Sequence, residues 1–179
     1  MSAATRLLRA MTAEDLERVL AWRNHPEIRR YMYTQHEIRL DEHRRWFEKA
    51  SQDTSRRLMI FEQDGVPCGY VQFTGVASGG VADWGFYISP EAEKGTGRAL
   101  GGAALDHAFR ELALHKVCGQ ALAYNERSIA FHISLGFSRE GVLRDQHFDG
   151  ERYHDVVCFG LLRDEWPSPI SESDHDRQK

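Results

Sequence analysis

Apolar residues recur along the chain with two different spacings, and the spacing predicts the type of each element. From residue 100 to residue 112 they return every three or four positions, which indicates one buried face of a helix. The ranges 57–62 and 66–74 are instead dense in aliphatic and aromatic residues, as strands are. Gln63-Asp64-Gly65 between them is a hairpin signal. The pattern therefore predicts a fold that contains both helices and a sheet.

The same reasoning along the chain predicts one order of elements: a strand, two or three helices, an antiparallel meander, a helix that opens on a glycine turn, a strand, a helix and two strands. The predicted ranges and caps are a strand at 6–10, a capping box at Thr12–Asp15, a helix with Asp41 as its N-cap, strands at 57–62, 66–74, 81–89 and 116–123, a helix at 126–135 between Asn125 and Gly136, and two strands within 138–162 around Asp149-Gly150. We expect residues 1–166 to form a single domain and residues 167–179 to be a polar, flexible tail.

One stretch, Asp83–Leu112, organises the rest. An aromatic strand ends at Pro90, and Gly95 and Gly97 lie where a tight turn needs positive φ or close backbone approach. The helix that follows begins with backbone N–H groups that have no partner within the helix, at the positive end of its dipole. This indicates an anion site, most naturally for a phosphate. The stretch matches neither a Walker loop nor a dinucleotide fingerprint, and the alternative is an ordinary strand–turn–helix connection.

Composition and charge exclude some partners. The chain has 179 residues and a formal net charge of −4, which gives no argument for nucleic acid or for an anionic membrane. Cys68, Cys118 and Cys158 are far apart and fit buried thiols in a reducing compartment. The sequence has no metal-ligand spacing, no leader and no apolar run of membrane length. We therefore expect a cytoplasmic protein with no metal, nucleic-acid or membrane partner.

Two segments together resemble a known family. Gly95-Thr96-Gly97 opens a helix, and Asn125–Phe137 matches the pattern N-x-x-[AS]-x-x-[FLY]-Y-x-x-x-G-F at all but one position. The chain resembles the GCN5-related N-acetyltransferase (GNAT) superfamily. The resemblance implies an α/β fold of the α+β type, with a mixed, mostly antiparallel sheet of six to seven strands that is splayed between two parallel strands and flanked by helices. It also implies an acyltransferase that uses acetyl-CoA as co-substrate and no metal.

The resemblance also implies where acetyl-CoA lies. The exposed backbone of the strand at 84–89 would pair with the pantetheine arm, and the glycine turn would hold the pyrophosphate, with Lys94 and Arg98 as charged contacts. Ala92 stands where the family often has Arg or Gln, so these two cations would supply the charge instead. The implied cofactor-binding residues are Phe86, Tyr87, Ile88, Lys94, Gly95, Thr96, Gly97, Arg98, Ala99, Asn125, Ser128 and Phe131.

His132 occupies the one position that departs from the family pattern. The family usually has a Tyr there, which commonly gives a proton to the leaving thiolate of CoA. A histidine can do the same, since its ordinary pKa near 6.5 suits transfer at neutral pH. We predict that His132 is catalytic; the alternative is that it only packs or hydrogen-bonds, and that water or Tyr124 protonates the thiolate. The general base stays open between Glu62, Asp83 and a chain of waters.

The acceptor side is indicated by the N-terminal half. Its Trp22-Arg23-Asn24 and Glu42-His43-x-x-Trp46 segments resemble the PseH branch of the superfamily. That branch is similar to a UDP-4-amino-4,6-dideoxy-N-acetyl-β-L-altrosamine N-acetyltransferase, which acts in pseudaminic acid biosynthesis for flagellin glycosylation. It implies a small-molecule nucleotide-sugar acceptor, cations for its diphosphate and an aromatic wall. The predicted substrate-binding residues are Trp22, Arg23, Arg29, His43, Trp46 and Thr74.

Other functions stay open. The same two tryptophans could be core packing, and Arg23 could be in a salt bridge. The Asp149-Gly150-x-x-Tyr153-x-Asp155 ending also occurs in ribosomal-protein and polyamine N-acetyltransferases, which are the alternative acceptor classes. A non-catalytic CoA-binding module is the alternative outside catalysis. The chain could be a monomer or a homodimer.

Overall fold

A computed structural model describes residues 4–167. Its elements are β1 (Arg6–Ala10), a 3₁₀ turn (Ala13–Asp15), α1 (Leu16–Asn24), α2 (Pro26–Arg29), α3 (Leu40–Gln52), β2 (Arg56–Gln63), β3 (Val66–Thr74), β4 (Val81–Ile88), α4 (Thr96–Asp106) with a π-helical extension (His107–Glu111), β5 (Lys116–Leu122), α5 (Glu126–Ser134), β6 (Ser138–Phe148), β7 (Tyr153–Leu162) and a 3₁₀ turn (Arg163–Glu165). The predicted elements are confirmed, with differences of a residue or two at their ends. The predicted tail lies, from residue 168 onward, outside the described residues, and the domain bounds 1–166 stay a prediction.

Seven strands form one mixed sheet in the order β1-β2-β3-β4-β5-β7-β6. Every neighbouring pair is antiparallel except β4 and β5, which run parallel. The predicted fold class is therefore confirmed. The hairpin between β2 and β3 turns at Asp64 and Gly65, whose φ values of 51° and 77° are both positive, as a two-residue hairpin turn requires.

The two parallel strands separate, and this separation positions the site. β4 and β5 pair only where Val81–Asp83 lies beside Lys116–Cys118. Beyond that, β4 stays paired with β3 as far as Ile88, and β5 stays paired with β7 as far as Leu122. We call the gap between the two strands the opening; its closed end is at Asp83, and its wide end lies toward Ile88 and Leu122.

Helices cover both faces of the sheet. On one face α4 and α5 pack on a core that includes Phe73, Leu105 and Phe159, each at most 1% exposed. On the other face α1 and α3 pack on a second cluster that includes Val19 and Ile60, both fully buried. The opening is thus flanked by one helix layer on each side. In residues 4–167 no helix is long and apolar enough to cross a membrane.

The predicted caps are partly confirmed. The carboxylate of Asp15 accepts from the backbone N–H of Thr12 at 2.9 Å. Asp15 is 2% exposed, and Arg9 compensates its buried charge by donating to both carboxylate oxygens at 2.8 Å. Asp41, in contrast, is not the N-cap of α3. Helix α3 begins one residue earlier, at Leu40, so the Asp41 carboxylate lies in the first turn, where it still favours the helix dipole.

Candidate active site

The edge of β4 presents backbone groups to the opening. The N–H of Ser89 donates to the carbonyl oxygen of Cys68 on β3 at 2.9 Å. Because backbone directions alternate along a strand, Tyr87 also turns its N–H toward β3, whereas Phe86 and Ile88 turn theirs into the opening. This arrangement refines the predicted pantetheine contacts. The backbone N–H of Tyr87 points to β3 within the sheet and is not available to the opening. The side chain of Tyr87 lies on the α1–α3 face beside Tyr70.

The glycine turn leaves backbone donors free at the start of α4. Gly95 has a φ of 96°, and the helix begins at the next residue, Thr96. The N–H groups of Thr96 and Ala99 bond to nearby carbonyl oxygens, each at 3.2 Å. Within residues 4–167, the N–H groups of Gly97 and Arg98 have no acceptor. A helix start with free donors fits the pyrophosphate of CoA.

Charged side chains stand beside those donors. Lys94 and Arg98 are both exposed at the turn. In the free protein each side chain is hydrated, and each can reach a phosphate bound at the start of α4. Ala92 is partly buried and packs against the core on the α4–α5 face, so it adds no charge. The turn therefore carries its cations on positions 94 and 98.

Helix α5 closes the other side of the opening. The Oδ1 atom of Asn125 accepts from the N–H of Ser128 at 3.1 Å, which confirms the predicted N-cap. Phe131 reaches Phe86 on β4 with ring centroids 4.9 Å apart. A Cβ atom at Gly101 of α4 would lie 3.0 Å from Phe131 Cζ, so this glycine lets the two helices approach. The implied cofactor-binding residues of α5 therefore do lie beside the opening.

His132 is enclosed rather than presented. It is 1% exposed, and its ring stacks on Phe159 at 4.7 Å. Its Nε2 atom accepts from the indole N–H of Trp84 at 3.1 Å, and its Nδ1 atom lies 2.8 Å from the carbonyl oxygen of Ser128. Since an indole only donates and a carbonyl only accepts, the proton is on Nδ1. That proton is already bonded to the backbone.

The protonation state of His132 follows from its burial. Burial lowers the pKa of His132 below its ordinary 6.5, and the Ser128 carbonyl opposes this only in part. A neutral, enclosed imidazole with both nitrogens engaged has no proton to offer in this arrangement. The geometry argues against the predicted acid role and favours the packing alternative; the catalytic role stays a prediction that variants can test.

A buried cation lies on the α1–α3 face, which we predict from the sequence to be the acceptor side. Arg23 is 9% exposed, and its Nη2 atom donates to the carbonyl oxygen of Thr34 at 2.7 Å. Its Nη1 atom is buried and has no partner within residues 4–167. Burial lowers the pKa of Arg23, although Tyr87 on β4 lies close enough to oppose this. No salt bridge to a carboxylate compensates Arg23 within the described residues.

Aromatic rings extend from this cation across α3 to β4. His43 is 4% exposed and stacks on Trp46, with centroids 5.1 Å apart and planes 15° from parallel. The ring centroids of Trp46 and Tyr70 are 6.4 Å apart, and those of Tyr70 and Tyr87 are 4.9 Å apart. Burial and the Arg23 charge lower the pKa of His43, whose Nε2 atom is buried without a partner in the described chain. Arg23, His43 and Trp46 are thus brought together, as predicted.

The other predicted acceptor residues differ in their surroundings. Trp22 is 8% exposed in the apolar core of the α1–α3 face, which agrees with the packing alternative. Arg29 is partly exposed, 3.9 Å from a Glu37 oxygen, and its charge lies close enough to lower the pKa of Arg23. Thr74 is opposite Asp83, at the closed end of the opening. β3 runs antiparallel to β4, so the end of β3 meets the start of β4, and Thr74 lies away from the wide end; its role in acceptor binding stays a prediction.

A loop between α2 and α3, residues 31–35, forms a further wall that the sequence did not predict. The hydroxyl of Tyr33 donates to Gln120 Oε1 on β5 at 2.8 Å. The side chain of Gln35 donates to the hydroxyl of Tyr124 at 3.2 Å, and that hydroxyl donates to the carbonyl oxygen of Arg30 at 2.9 Å. The run Tyr31-Met32-Tyr33-Thr34 signals an aromatic loop, but its partners are about ninety residues away and leave no local signal.

Neither of the two carboxylates suggested as general base lies at the wide end. Glu62 accepts from Arg9 at 2.6 Å on β2, near the β1 edge of the sheet. Asp83 lies at the closed end, beside Cys118. No group of three or more His, Cys, Asp or Glu side chains in residues 4–167 has the geometry of a metal site. A shallow surface hollow of about 910 Å³, lined by residues of α1 and 37–44, contains none of the predicted site residues.

A sheet that opens between two parallel strands, beside a helix start with free N–H groups, defines a CoA-dependent acyltransferase. Residues 6–138 match the family model described as "Acetyltransferase (GNAT) domain". The chain belongs to this family, and it is an acetyl-CoA-dependent N-acetyltransferase.

The relatives are all acetyltransferases, and one of them is named for its acceptor, spermidine. The chain is 26% identical to the acetyltransferase PseH of Campylobacter jejuni over 122 residues, which are 68% of this chain and 76% of the relative. It is 32% identical to the uncharacterised N-acetyltransferase YokL of Bacillus subtilis over 164 residues, covering 89% and 90%. The structure of spermidine N-acetyltransferase from Vibrio cholerae with CoA and spermine is similar at a TM-score of 0.82 and 27% identity, covering 89% of this chain and 96% of that one.

Proposed function

We propose that this enzyme transfers the acetyl group of acetyl-CoA directly to the 4-amine of a UDP-linked 4-amino-4,6-dideoxy sugar, as in pseudaminic acid biosynthesis for flagellin glycosylation. The observation that carries the proposal is the buried, unpartnered Nη1 atom of Arg23 on the acceptor side. The similarity to PseH supports the same class of acceptor.

A buried guanidinium without a counter-ion is costly, and an acceptor that brings an anion would compensate it. The diphosphate of a nucleotide sugar is such an anion, and arginine matches its oxygens well. The row Trp46–Tyr70–Tyr87 offers aromatic faces to a uracil or sugar ring. A polyamine would instead bring like charge toward Arg23.

The donor side supplies binding and polarisation. Acetyl-CoA brings an activated thioester, and the free N–H groups of Gly97 and Arg98 hold its pyrophosphate. The backbone of Phe86 and Ile88 pairs with the pantetheine arm as an added strand edge would. The N–H of Ile88 is the donor placed to stabilise the oxyanion that forms when a neutral amine attacks the carbonyl.

The test is an acceptor panel with acetyl-CoA: UDP- and dTDP-linked 4-amino sugars, spermidine and a ribosomal-protein N-terminal peptide. We expect thiol release to be fastest with the UDP-linked sugar. We also expect Arg23→Ala to raise KM for that sugar at least tenfold and KM for acetyl-CoA less than twofold, because a lost charge-assisted hydrogen bond is worth about 1.5–3 kcal/mol. The matched control is Arg45→Ala, since Arg45 is an exposed arginine of α3. Faster turnover of spermidine or of the peptide would contradict the proposed acceptor.

A polyamine acceptor is the second candidate, because the spermidine N-acetyltransferase of Vibrio cholerae matches nearly the whole chain. The two candidates predict opposite effects of one substitution. Arg23→Ala should improve turnover of spermidine by removing a like charge, whereas it should impair turnover of the nucleotide sugar. A wild type that binds acetyl-CoA and transfers to no member of the panel would favour a binding module.

A further inference from the structure

Asp149 and His154 form a carboxylate–imidazole pair in the hairpin between β6 and β7. Oδ1 of Asp149 accepts from the backbone N–H groups of Glu151 and Arg152, at 2.8 and 2.9 Å. Its Oδ2 is hydrogen-bonded to Nε2 of His154. These donors hold the pKa of Asp149 well below its usual range, so the carboxylate is ionised and only accepts. The Nε2 atom of His154 therefore carries the proton, and Nδ1 keeps a free lone pair.

The sheet register places this imidazole beside the end of β5, the strand that borders the wide end of the opening. Leu122, the last residue of β5, is opposite Val156 of β7. Two residues further along, His154 lies beside Tyr124, and the two rings meet edge to face at 4.7 Å. Because cross-strand partners share a face, His154 lies on the face of Gln120, which Tyr33 covers. That face is the acceptor side.

The Nδ1 atom of His154, which carries the lone pair, is mostly buried but not fully enclosed. The side chain is 11% exposed, and within residues 4–167 its Nδ1 atom has no hydrogen-bond partner. That atom is also not among the fully enclosed polar atoms of the described chain. A base that is oriented by a fixed carboxylate and keeps one open nitrogen has the arrangement that general-base catalysis needs.

We infer that His154, oriented by Asp149, is the general base that takes the proton from the acceptor amine. The neutral amine attacks the thioester carbonyl, and an N–C bond forms. The nitrogen of the adduct then carries one proton in excess, which passes to Nδ1 of His154. The C–S bond breaks, the electron pair leaves with sulfur, and the thiolate takes the proton of the imidazolium, directly or through a water molecule. Amine and acetyl-CoA thus give amide and CoA thiol, with the histidine restored.

This inference rests on the acetyl transfer of the family and not on the identity of the amine. The test therefore uses whichever amine of the panel above the wild type turns over fastest. Failure of the proposed acceptor would appear as turnover of another amine, and the ratio of variant to wild type would be measured with that one.

The first measurement compares kcat/KM for the amine between pH 6 and 9.5 in wild type and His154→Gln. We expect the variant to be about 100-fold slower at pH 7.5, a typical loss for a general base. The deficit should narrow as pH rises, because hydroxide can then take the proton of the adduct in place of the missing imidazole. The titratable and charged groups around the pair are Arg152 in the turn, Tyr124 after β5 and His147 opposite on β6.

A rescue experiment separates proton transfer from structure. Free imidazole should restore part of the activity of His154→Ala, in proportion to its unprotonated fraction, while acetyl-CoA affinity stays within twofold of wild type. The matched control is His107→Gln, since His107 pairs with Glu111 at 3.0 Å on the far helix layer. This control should keep wild-type kcat/KM at every pH.

Two results would overturn the inference: His154→Gln within threefold of wild type, or a pH-independent loss that imidazole does not reduce in a variant that still binds acetyl-CoA. Should the His154 variants fail to bind acetyl-CoA, Asp149→Asn decides. Loss of the carboxylate removes the acceptor that holds the Nε2 proton of His154, so kcat should fall while KM for acetyl-CoA stays unchanged. An unchanged kcat would refute the role of the pair.

Discussion

The indole N–H of Trp84 donates to Nε2 of His132 at 3.1 Å, and this bond decides which nitrogen of the ring carries a proton. The bond joins β4 to α5 across the opening on the α4–α5 side. It needs room above β5, and Gly119 supplies it: a Cβ atom there would lie 2.4 Å from His132 Nε2. Three residues on three elements thus specify one enclosed imidazole.

His132→Phe tests whether His132 is structural or catalytic. Phenylalanine keeps an aromatic ring on Phe159 but leaves the Trp84 N–H without a partner, which costs about 1–3 kcal/mol of unfolding free energy. We expect kcat to stay within threefold of wild type while the Tm falls by several degrees. A kcat that falls about 100-fold in a variant of nearly normal Tm would instead support the acid role predicted from the sequence.

A double-mutant cycle of His132→Phe with Trp84→Phe tests whether the hydrogen bond between these two side chains accounts for the loss of stability. If the two side chains stabilise the fold through their shared bond, the double variant should lose less unfolding free energy than the sum of the two single variants. Additive losses would show that the bond contributes nothing beyond packing. Urea unfolding of the four proteins at pH 7.5 measures the difference.

Stability should fall as pH falls below 6.5. In the unfolded chain His132 and His43 have the ordinary pKa of 6.5, whereas burial lowers the pKa of both in the folded protein. The unfolded state therefore binds more protons in acid, and the stability that is present above pH 6.5 is lost as pH falls. Each group contributes a slope of at most about 1.4 kcal/mol per pH unit.

Urea unfolding between pH 5 and 8 measures that slope. His132→Phe should show a shallower dependence than wild type, since one proton difference has been removed. The matched control is the same substitution at His36, which lies at the surface with a side chain that is 61% exposed. Equal slopes in wild type and His132→Phe would mean that His132 takes up its proton in the folded state.

Gly119→Ala should disrupt the enclosed imidazole without touching any ligand. The new methyl group would overlap both His132 Nε2 and Trp84 Nε1, and the latter would be 2.8 Å away. Overpacking of this kind costs about 1–3 kcal/mol. Gly102→Ala is the matched control, because a Cβ atom at Gly102 has no neighbour within 4 Å and alanine favours the helix. Thermal unfolding should show a lower Tm for the first variant and an equal or higher one for the second.

Local patterns carried most of the fold. Strand composition, the Asp64-Gly65 turn and the caps at Asn125 and Gly136 are properties of a few adjacent residues, and these predictions were confirmed. The parallel pairing of β4 and β5 followed only from the family resemblance, since no local signal specifies which strands meet. The N-cap of α3 was misplaced by two residues, at Asp41 instead of Arg39, because an acidic residue suits both the cap and the first turn.

The site was predicted unevenly for the same reason. The motif fixes the places of positions such as Gly95 and Phe131 along the chain, and their role in cofactor binding stays a prediction. The sequence suggested an acid at His132 because Trp84, which bonds to its Nε2 atom, and Phe159, which stacks on its ring, are distant in sequence and leave no local signal. The position of Thr74 at the closed end follows from the reversal of strand direction between β3 and β4, which a count along the chain does not show.

The start of α4 should determine affinity for acetyl-CoA. Gly95→Ala places a side chain at a φ of 96°, which L residues rarely adopt, and should distort the N–H groups that follow. We expect KM for acetyl-CoA to rise about tenfold, as the loss of one or two charge-assisted hydrogen bonds predicts. Lys94→Ala and Arg98→Ala should have smaller, salt-dependent effects.

The donor itself provides the control for that prediction. Acetyl-pantetheine lacks the pyrophosphate, so Gly95→Ala should not change its KM. Arg110→Ala, at the other end of the helix, should leave both donors unaffected, because Arg110 pairs with Asp106 at 3.0 Å. An equal loss with both donors would show that the turn acts on the thioester end and not on the pyrophosphate.

Tyr33 should determine affinity for the acceptor alone. Its hydroxyl bonds to Gln120 at 2.8 Å and holds the loop 31–35 against β5 on the acceptor side. Burial raises the pKa of Tyr33, so the hydroxyl stays a donor throughout the assay range. Tyr33→Phe should raise KM for the amine about three- to tenfold, the equivalent of one hydrogen bond of about 0.5–1.5 kcal/mol, and leave KM for acetyl-CoA unchanged.

Gln120→Ala should have the same effect, and the double variant should be no worse than either single one, because both remove one bond. Tyr153→Phe, a tyrosine with 61% exposure, serves as control and should match wild type. A rise in both KM values would mean that the loop supports the whole opening rather than the acceptor side.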